Sequence, residues 1–161
     1  MVIFARFLLI FNLGWLTPAW ALDEAMDLQA IGKLARQRGV PVMVVFTARH
    51  CIFCERLQSD YVDPMLLQAE YTDRLIIRSV TVDGALELRD FSGTMVSRND
   101  FANRYDVKVT PTVMFFDHQG RMLTKQLIGY SSPAFYGAFL DDAIAAAQDK
   151  LNIKSQRDAT L

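Results

Sequence analysis

The sequence contains few of the thiol and imidazole side chains that bind zinc and copper, since its 161 residues include two cysteines and two histidines. A zinc site needs four ligands, so beyond the cysteines it would require both His50 and His118. The chain also lacks an excess of charge: its formal charge is −1, and no run of lysines or arginines could neutralise a row of phosphates. We therefore expect no nucleic-acid partner.

A long apolar run is confined to the start of the chain. Residues 7–16 are almost wholly apolar, Arg6 is the only charge before them, and residues 19–21 form an A-x-A pattern. A basic start, a short apolar core and an A-x-A end are typical of a secretory signal peptide. We expect residues 1–21 to be a signal peptide cleaved before Leu22, with a retained membrane anchor as the alternative. Export would place the cysteines in an oxidising compartment, where disulfides persist.

The remaining chain is long enough for one buried core and too short for two ordinary domains. The spacing of its apolar residues predicts the order helix, strand, helix, strand, helix, strand, strand, helix. This order indicates an α/β fold, a mixed central sheet flanked by helices. We expect this domain to occupy residues 22–151 and residues 152–161 to form a frayed polar tail.

The predicted elements are bounded by cap and turn signals. In chain order they are a helix capped by Asp23 and ended at Gly39, a buried strand at 40–46, a helix from Cys51 that Pro64 ends or kinks, a strand at 75–82, an irregular stretch at 91–98, a short helix capped by Ser97 or Asn99, two antiparallel strands at 113–116 and 121–128, and a final helix from Pro133 with Phe135, Phe139, Leu140, Ile144 and Ala147 on one side.

The two cysteines, Cys51 and Cys54, lie three residues apart where a buried strand leads into a helix. On the first turn of a helix this spacing brings two sulfurs close enough for a disulfide. Unpaired backbone N–H groups there favour a thiolate at Cys51. Because a thiolate is the attacking species in disulfide exchange, we expect Cys51 to be the nucleophile and Cys54 to be the thiol that resolves the mixed disulfide.

Other functions of the cysteine pair need to be weighed. A structural disulfide across so short a loop would remove little chain entropy and stabilise the fold poorly. Copper binding, with His50 as a third ligand, is a further alternative. His50 itself has two interpretations: a partly charged imidazole that lowers the pKa of the neighbouring thiol, or an exposed loop histidine without a role.

Pro111 directly precedes a predicted strand, within the segment Val109-Thr110-Pro111-Thr112. Proline donates no hydrogen bond to a sheet, so this position marks an edge or a loop. A cis peptide bond in a tight turn is the usual reason for such a feature.

Together these residues resemble the thioredoxin superfamily, and within it exported bacterial thioredoxin-like proteins of the SoxW kind. The segments that carry the resemblance are the strand at 42–46, Cys51-Ile52-Phe53-Cys54, Tyr105-Asp106-Val107, Thr110-Pro111-Thr112, the turn at Gly120 and Gly129 before the last helix. The resemblance implies a thioredoxin fold with a cis proline at Pro111 beside the cysteine pair. It also implies that the backbone of Thr110 pairs with an extended substrate segment.

Three positions depart from the family pattern. The tryptophan before the first cysteine is replaced by His50, the buried acid of cytosolic thioredoxins falls on Val45, and its lysine partner falls on Ser79. The resemblance therefore does not extend to proton handling at Cys54. Glu55 follows Cys54 directly, but neighbouring helical positions point apart, so we expect a solvated surface acid there.

These observations predict a periplasmic protein-disulfide oxidoreductase that reduces exported proteins through its dithiol. Its expected partners are disulfide-containing exported proteins and a membrane thiol-disulfide electron donor, and we expect a monomer without a cofactor or a bound metal. The alternatives are a copper-binding protein and a thioredoxin-fold protein that oxidises or isomerises disulfides. Oxidant and reductant use the same cysteines and differ in reduction potential.

Overall fold

A computed structural model describes residues 22–130 and 133–158. The predicted signal peptide, residues 1–21, lies outside the described residues. In chain order the elements are α1 (Leu28–Arg38), β1 (Val42–Thr47), α2 (Ile52–Leu57), a π-helical turn (Gln58–Val62), α3 (Asp63–Leu66), α4 (Ala69–Thr72), β2 (Ile76–Thr81), β3 (Glu87–Arg89), β4 (Met95–Ser97), α5 (Arg98–Arg104), β5 (Thr112–Phe116), β6 (Leu127–Ile128) and α6 (Pro133–Asp158).

The central sheet has the strand order β2-β1-β5-β6. Strand β1 pairs in parallel with β2 and antiparallel with β5, and β5 pairs antiparallel with β6. The sheet is therefore mixed, and helices cover both of its faces. This confirms the predicted fold class.

Strand β1 is central because both of its faces are apolar. Val44 and Phe46 face a core that includes α1 and α5. Met43 and Val45 face a second core, to which α2 and α6 contribute Leu57 and other apolar side chains. Since successive residues of a strand point to opposite faces, an unbroken apolar run fits only a strand that is buried on both sides.

The first helix begins later than predicted, because Asp27 and not Asp23 caps it. The Asp27 carboxylate accepts a hydrogen bond from the backbone N–H of Ala30 at 2.8 Å. The preceding segment is extended and lies along the edge of β2, where the N–H of Ala25 donates to the carbonyl of Ser79 at 2.8 Å. The predicted end of this helix is confirmed, since Gly39 has a left-handed φ of 67°.

The stretch at 91–98, which we expected to be irregular, contains the turn and second strand of a β3–β4 hairpin, and its last residue, Arg98, begins α5. Its turn is organised by the buried carboxylate of Asp90, which accepts hydrogen bonds from the backbone N–H groups of Ser92 and Thr94 at 2.9 and 3.0 Å. Strands of three residues are too short to show an alternating pattern in the sequence. Ser97 then caps α5, as predicted, by accepting from the N–H of Asp100 at 3.0 Å.

The last strand and the last helix also differ from expectation. Strand β6 covers two residues, whereas we expected a strand at 121–128. On α6 the buried side chains are Tyr136, Leu140, Ile144, Ala147 and Leu151, while Phe135 and Phe139 are exposed. Both phenylalanines precede a buried residue by one position, which turns them about 100° away from the core.

Helix α6 continues past residue 151, where we placed the end of the folded domain. Its extension is held by Lys154, whose ammonium group donates to the buried carboxylate of Asp117 at 2.6 Å. None of the helices in residues 22–130 and 133–158 combines the length and apolar character needed to cross a bilayer.

Candidate active site

Cys51 and Cys54 form a disulfide at the N-terminus of α2, with Cα atoms 5.2 Å apart. Cys51 is the N-cap of the helix, and its sulfur accepts a hydrogen bond from the backbone N–H of Cys54 at 3.2 Å. Cys51 is half-buried, whereas Cys54 is 6% exposed. An incoming sulfur therefore has access to Cys51 and not to Cys54. The assignment of Cys51 as the attacking thiol requires this asymmetry.

The helix terminus also has an electrostatic effect. The first N–H groups of a helix lack partners inside the helix and carry the positive end of its dipole. The Cys54 N–H that points at the Cys51 sulfur in the disulfide would point at a thiolate after reduction. A negative charge at Cys51 is therefore stabilised by groups that are already in position.

The loop before β5 brings Thr110 and Pro111 beside the cysteines. The peptide bond between them is cis, and the Thr110 hydroxyl donates to the Cys51 sulfur at 3.6 Å. Pro111 is buried and its carbonyl accepts from the N–H of Gly129 at 2.8 Å, which fixes the loop to the end of β6. Sequence reasoning gave Thr110 a role through its backbone and missed the contact made by its side chain.

The backbone of Thr110 has no hydrogen-bond partner within the residues that the structure describes. Its N–H and carbonyl groups belong to a half-exposed residue directly before the edge of the sheet. An extended polypeptide could use them, since pairing with free backbone groups is how sheets accept an added strand. The substrate-binding role of Thr110 and Pro111 remains a prediction.

His50 adopts a left-handed backbone conformation, with φ of 57°, directly before Cys51. Its side chain is exposed and makes no hydrogen bond in the described part of the chain. The loop is instead held by Arg49, whose backbone N–H donates to the Asp83 carboxylate at 2.9 Å. This hydrogen bond lowers the pKa of Asp83. The effect of His50 on the pKa of the Cys51 thiol therefore stays a prediction.

Valine occupies position 45, where the resemblance to cytosolic thioredoxins implies a buried acid. Val45 is directly opposite Ser79 in the register of β1 and β2, so the two departures from the family pattern are neighbours in space. Val45 is 2% exposed and belongs to the same buried core as Leu57 of the cysteine-bearing helix. Position 45 therefore offers no acid that could exchange a proton with Cys54.

A pocket of about 220 Å³ opens beside the cysteine loop and is lined by Phe53, Val109, Thr110, Gly129 and Tyr130. Tyr130 is 4% exposed, and its hydroxyl donates to the carboxylate of Asp60 at 2.7 Å. Burial and this hydrogen bond raise the pKa of Tyr130 to about 12. Sequence analysis missed Tyr130. Its position directly after Gly129, which we had singled out, was the available signal.

His118 lies too far from the cysteines to complete a metal site with them. His118 follows β5, whereas Pro111 precedes it, so the length of that strand, roughly 17 Å, separates His118 from the cysteine loop. Within the described residues, no group of three or more histidine, cysteine, aspartate or glutamate side chains could hold a metal ion.

Comparison with known proteins identifies a family and several solved structures of similar fold. A model of the thioredoxin-like domain family matches residues 28–144. Similar solved structures include mitochondrial thioredoxin 3 from Saccharomyces cerevisiae, at 18% identity, covering 75% of this chain and 94% of that one with a TM-score of 0.52. The protein Trxlp from Edwardsiella tarda shares 22% identity over 74% of this chain and 98% of its own, with a TM-score of 0.53.

A third structure, described as DsbH oxidoreductase, shares 19% identity over 83% of this chain and 93% of its own, with a TM-score of 0.54. At these identities the likeness concerns the fold alone. A search of curated proteins found no match.

Proposed function

The chain belongs to the thioredoxin-like domain family, and on that premise we propose that it is a periplasmic thiol-disulfide oxidoreductase that reduces disulfides of exported proteins. The family and the disulfide between Cys51 and Cys54 support thiol-disulfide chemistry in general. The periplasmic location depends on the signal peptide predicted at residues 1–21. The reducing direction depends on the resemblance to exported thioredoxin-like proteins of the SoxW kind.

One observation carries the proposal: the disulfide is asymmetric. Cys51 is accessible at the helix N-terminus and accepts hydrogen bonds from Cys54 N–H and the Thr110 hydroxyl, while Cys54 is covered. A disulfide that only stabilised the fold would not need one sulfur to be accessible to another protein and to accept two hydrogen bonds.

The reaction starts from the dithiol. The Cys51 thiolate attacks one sulfur of the substrate disulfide, forming a mixed disulfide and releasing the other substrate sulfur as a thiolate, which takes up a proton. The Cys54 thiol then loses its proton and attacks the Cys51 sulfur, which releases the second substrate thiol. The substrate disulfide gains two electrons and two protons, and the protein ends in the disulfide form seen here.

The substrate would be held largely through its backbone. An extended segment pairs with the free N–H and carbonyl of Thr110 while its own disulfide faces Cys51. A membrane thiol-disulfide protein would return the Cys51–Cys54 pair to the dithiol, since the periplasm does not supply a reducing thiol pool.

The test is disulfide reduction by residues 22–161, with and without Cys51→Ala and Cys54→Ala, together with the equilibrium potential of the pair against glutathione. We expect turnover in the unmodified protein and its loss in Cys51→Ala. Binding of one Cu(I) that needs both thiols, without any turnover, would instead support the copper-binding alternative. A potential well above that of glutathione would favour the oxidant or isomerase alternative over a reductant.

A further inference from the structure

A second pocket lies far from the cysteines. It is found where β5 ends, whereas Thr110 and the cysteine loop lie where that strand begins, so roughly 17 Å of strand separates the two. Its volume of about 360 Å³ is typical of sites that hold a small molecule. Asp117, residues 121–123 and, from α6, residues 150, 153 and 154 line it, and we call it the distal pocket.

Positive charge dominates the distal pocket. Its lining contains three cationic side chains, those of Arg121, Lys150 and Lys154, and one carboxylate, that of Asp117. A concave surface with an excess of one charge attracts ligands of the opposite charge. The ligand that matches this lining is therefore an anion.

The carboxylate of Asp117 holds two of the cations in place. It is buried and accepts hydrogen bonds from the backbone N–H groups of Gln119 and Arg121 at 2.8 and 3.0 Å. It also accepts from Arg121 Nε at 2.8 Å and from the Lys154 ammonium group at 2.6 Å. A carboxylate has about four acceptor positions, so that of Asp117 is fully used. It orients Arg121 and Lys154 and is not available to a ligand.

The cations retain donors that Asp117 does not use. Only Nε of the Arg121 guanidinium has a partner among the described residues, which leaves both of its Nη groups for a ligand. The Lys150 ammonium group makes one long hydrogen bond, to the Met122 carbonyl at 3.4 Å. A guanidinium donates two parallel hydrogen bonds to a carboxylate, which has the same planar geometry. A carboxylate ligand would therefore satisfy these donors.

The remaining lining is apolar. Met122 and Ile153 are 37% and 56% exposed, and Leu123 is 5% exposed. An aliphatic chain on the ligand would cover the exposed parts of Met122 and Ile153, and the removal of this apolar surface from water favours binding. A small inorganic anion would leave that surface exposed to water.

We propose that the distal pocket binds a small organic carboxylate that carries a short aliphatic chain. Its carboxylate accepts hydrogen bonds from Arg121 and Lys150, and its chain lies against Met122 and Ile153. The distal pocket shares no lining residue with the pocket beside the cysteines. The inference therefore goes beyond the proposed function and does not depend on it.

The experiment titrates the oxidised protein with hexanoate at neutral pH and follows the backbone amide signals by NMR. Acetate, which has the charge without the chain, and hexanol, which has the chain without the charge, are the comparison ligands. We expect a Kd of about 1 mM for hexanoate and binding about tenfold weaker for acetate and hexanol. The largest shifts should fall on residues 121–123 and 150–154.

Substitutions separate the two parts of the site. Lys150→Gln and Arg121→Gln should each weaken hexanoate binding about fivefold, and Lys150 is exposed, so its loss should leave the fold intact. Lys108→Gln is the matched control, because it changes the net charge equally at an exposed residue that precedes β5 and is absent from the lining. Ile153→Gln should leave acetate binding unchanged and reduce the advantage of hexanoate over acetate about threefold.

Several results would overturn the inference. One is the absence of localised shifts with hexanoate, and another is equal affinity for hexanoate and acetate. Equal weakening in Lys108→Gln and Lys150→Gln would show attraction by net charge alone and would also overturn it. Because none of these measurements involves disulfide reduction, each of these results would leave the proposed oxidoreductase function standing.

Discussion

Thr110→Val removes the hydroxyl that donates to the Cys51 sulfur and leaves the backbone that would pair with a substrate. Valine has the same branched shape as threonine, so the buried Pro111 beside it need not move. The hydroxyl lies 3.6 Å from the sulfur, within the range of a hydrogen bond to sulfur. Its loss should change the relative stability of the disulfide and dithiol forms.

The size of the effect follows from the charge on the acceptor. A hydrogen bond to the neutral disulfide sulfur contributes about 1 kcal/mol, and one to a thiolate contributes roughly twice that. The reduced form therefore loses about 1 kcal/mol more than the oxidised form. Since 1.4 kcal/mol corresponds to about 30 mV for a two-electron couple, the potential of the pair should fall by roughly 20 mV.

The assay is equilibration with glutathione buffers at a pH where Cys51 is ionised, followed by alkylation of free thiols and mass measurement. Thr110→Ser keeps the hydroxyl and should retain the original potential. Thr124→Val removes a hydroxyl that donates to the Lys125 carbonyl, outside the residues that line the pocket, and serves as the remote control. A potential that stays the same or rises in Thr110→Val would refute the reasoning.

Three further predictions concern stability. Burial alone would raise the pKa of Asp90, but hydrogen bonds from Ser92 and Arg104 lower it from 3.8 to about 2. The free energy of unfolding should therefore fall as the pH drops from about 4 to about 2. In urea titrations, Asp90→Asn should flatten this pH dependence. The Tyr136 hydroxyl is buried with no partner in the described residues, so Tyr136→Phe should raise the free energy of unfolding by about 1 kcal/mol, where a decrease would show an overlooked partner. Gly120→Ala would place a Cβ 2.7 Å from the Phe91 ring at a φ of 79°, and should lower stability by about 2 kcal/mol in thermal melts, where an unchanged melting temperature would contradict the contact.

The sequence was informative wherever a feature depends on neighbouring residues. The buried strand β1, the cap at Gly39 and the start of the cysteine-bearing helix each depend on a local pattern. Cys51 could be placed at the helix terminus because the apolar spacing changes there from a continuous run to a helical period.

Features that depend on distant contacts were not predictable. The hydrogen bond between Asp60 and Tyr130 joins residues 70 apart, and nothing near either residue in sequence indicates it. Phe135 and Phe139 follow the same helical spacing as the buried stripe of α6, shifted by one position. Only the packing of the helix against the sheet decides which of two adjacent stripes is buried.

The central claim is that Cys51 is the attacking thiol and Cys54 the resolving thiol. Incubation of Cys54→Ser with a disulfide peptide, followed by peptide mapping, tests it most directly. We expect a stable mixed disulfide on Cys51, because the thiol that would release the peptide is gone. Cys51→Ser should form no such adduct. Reduction of the same peptide by Cys51→Ala at the rate of the unmodified protein would contradict the account.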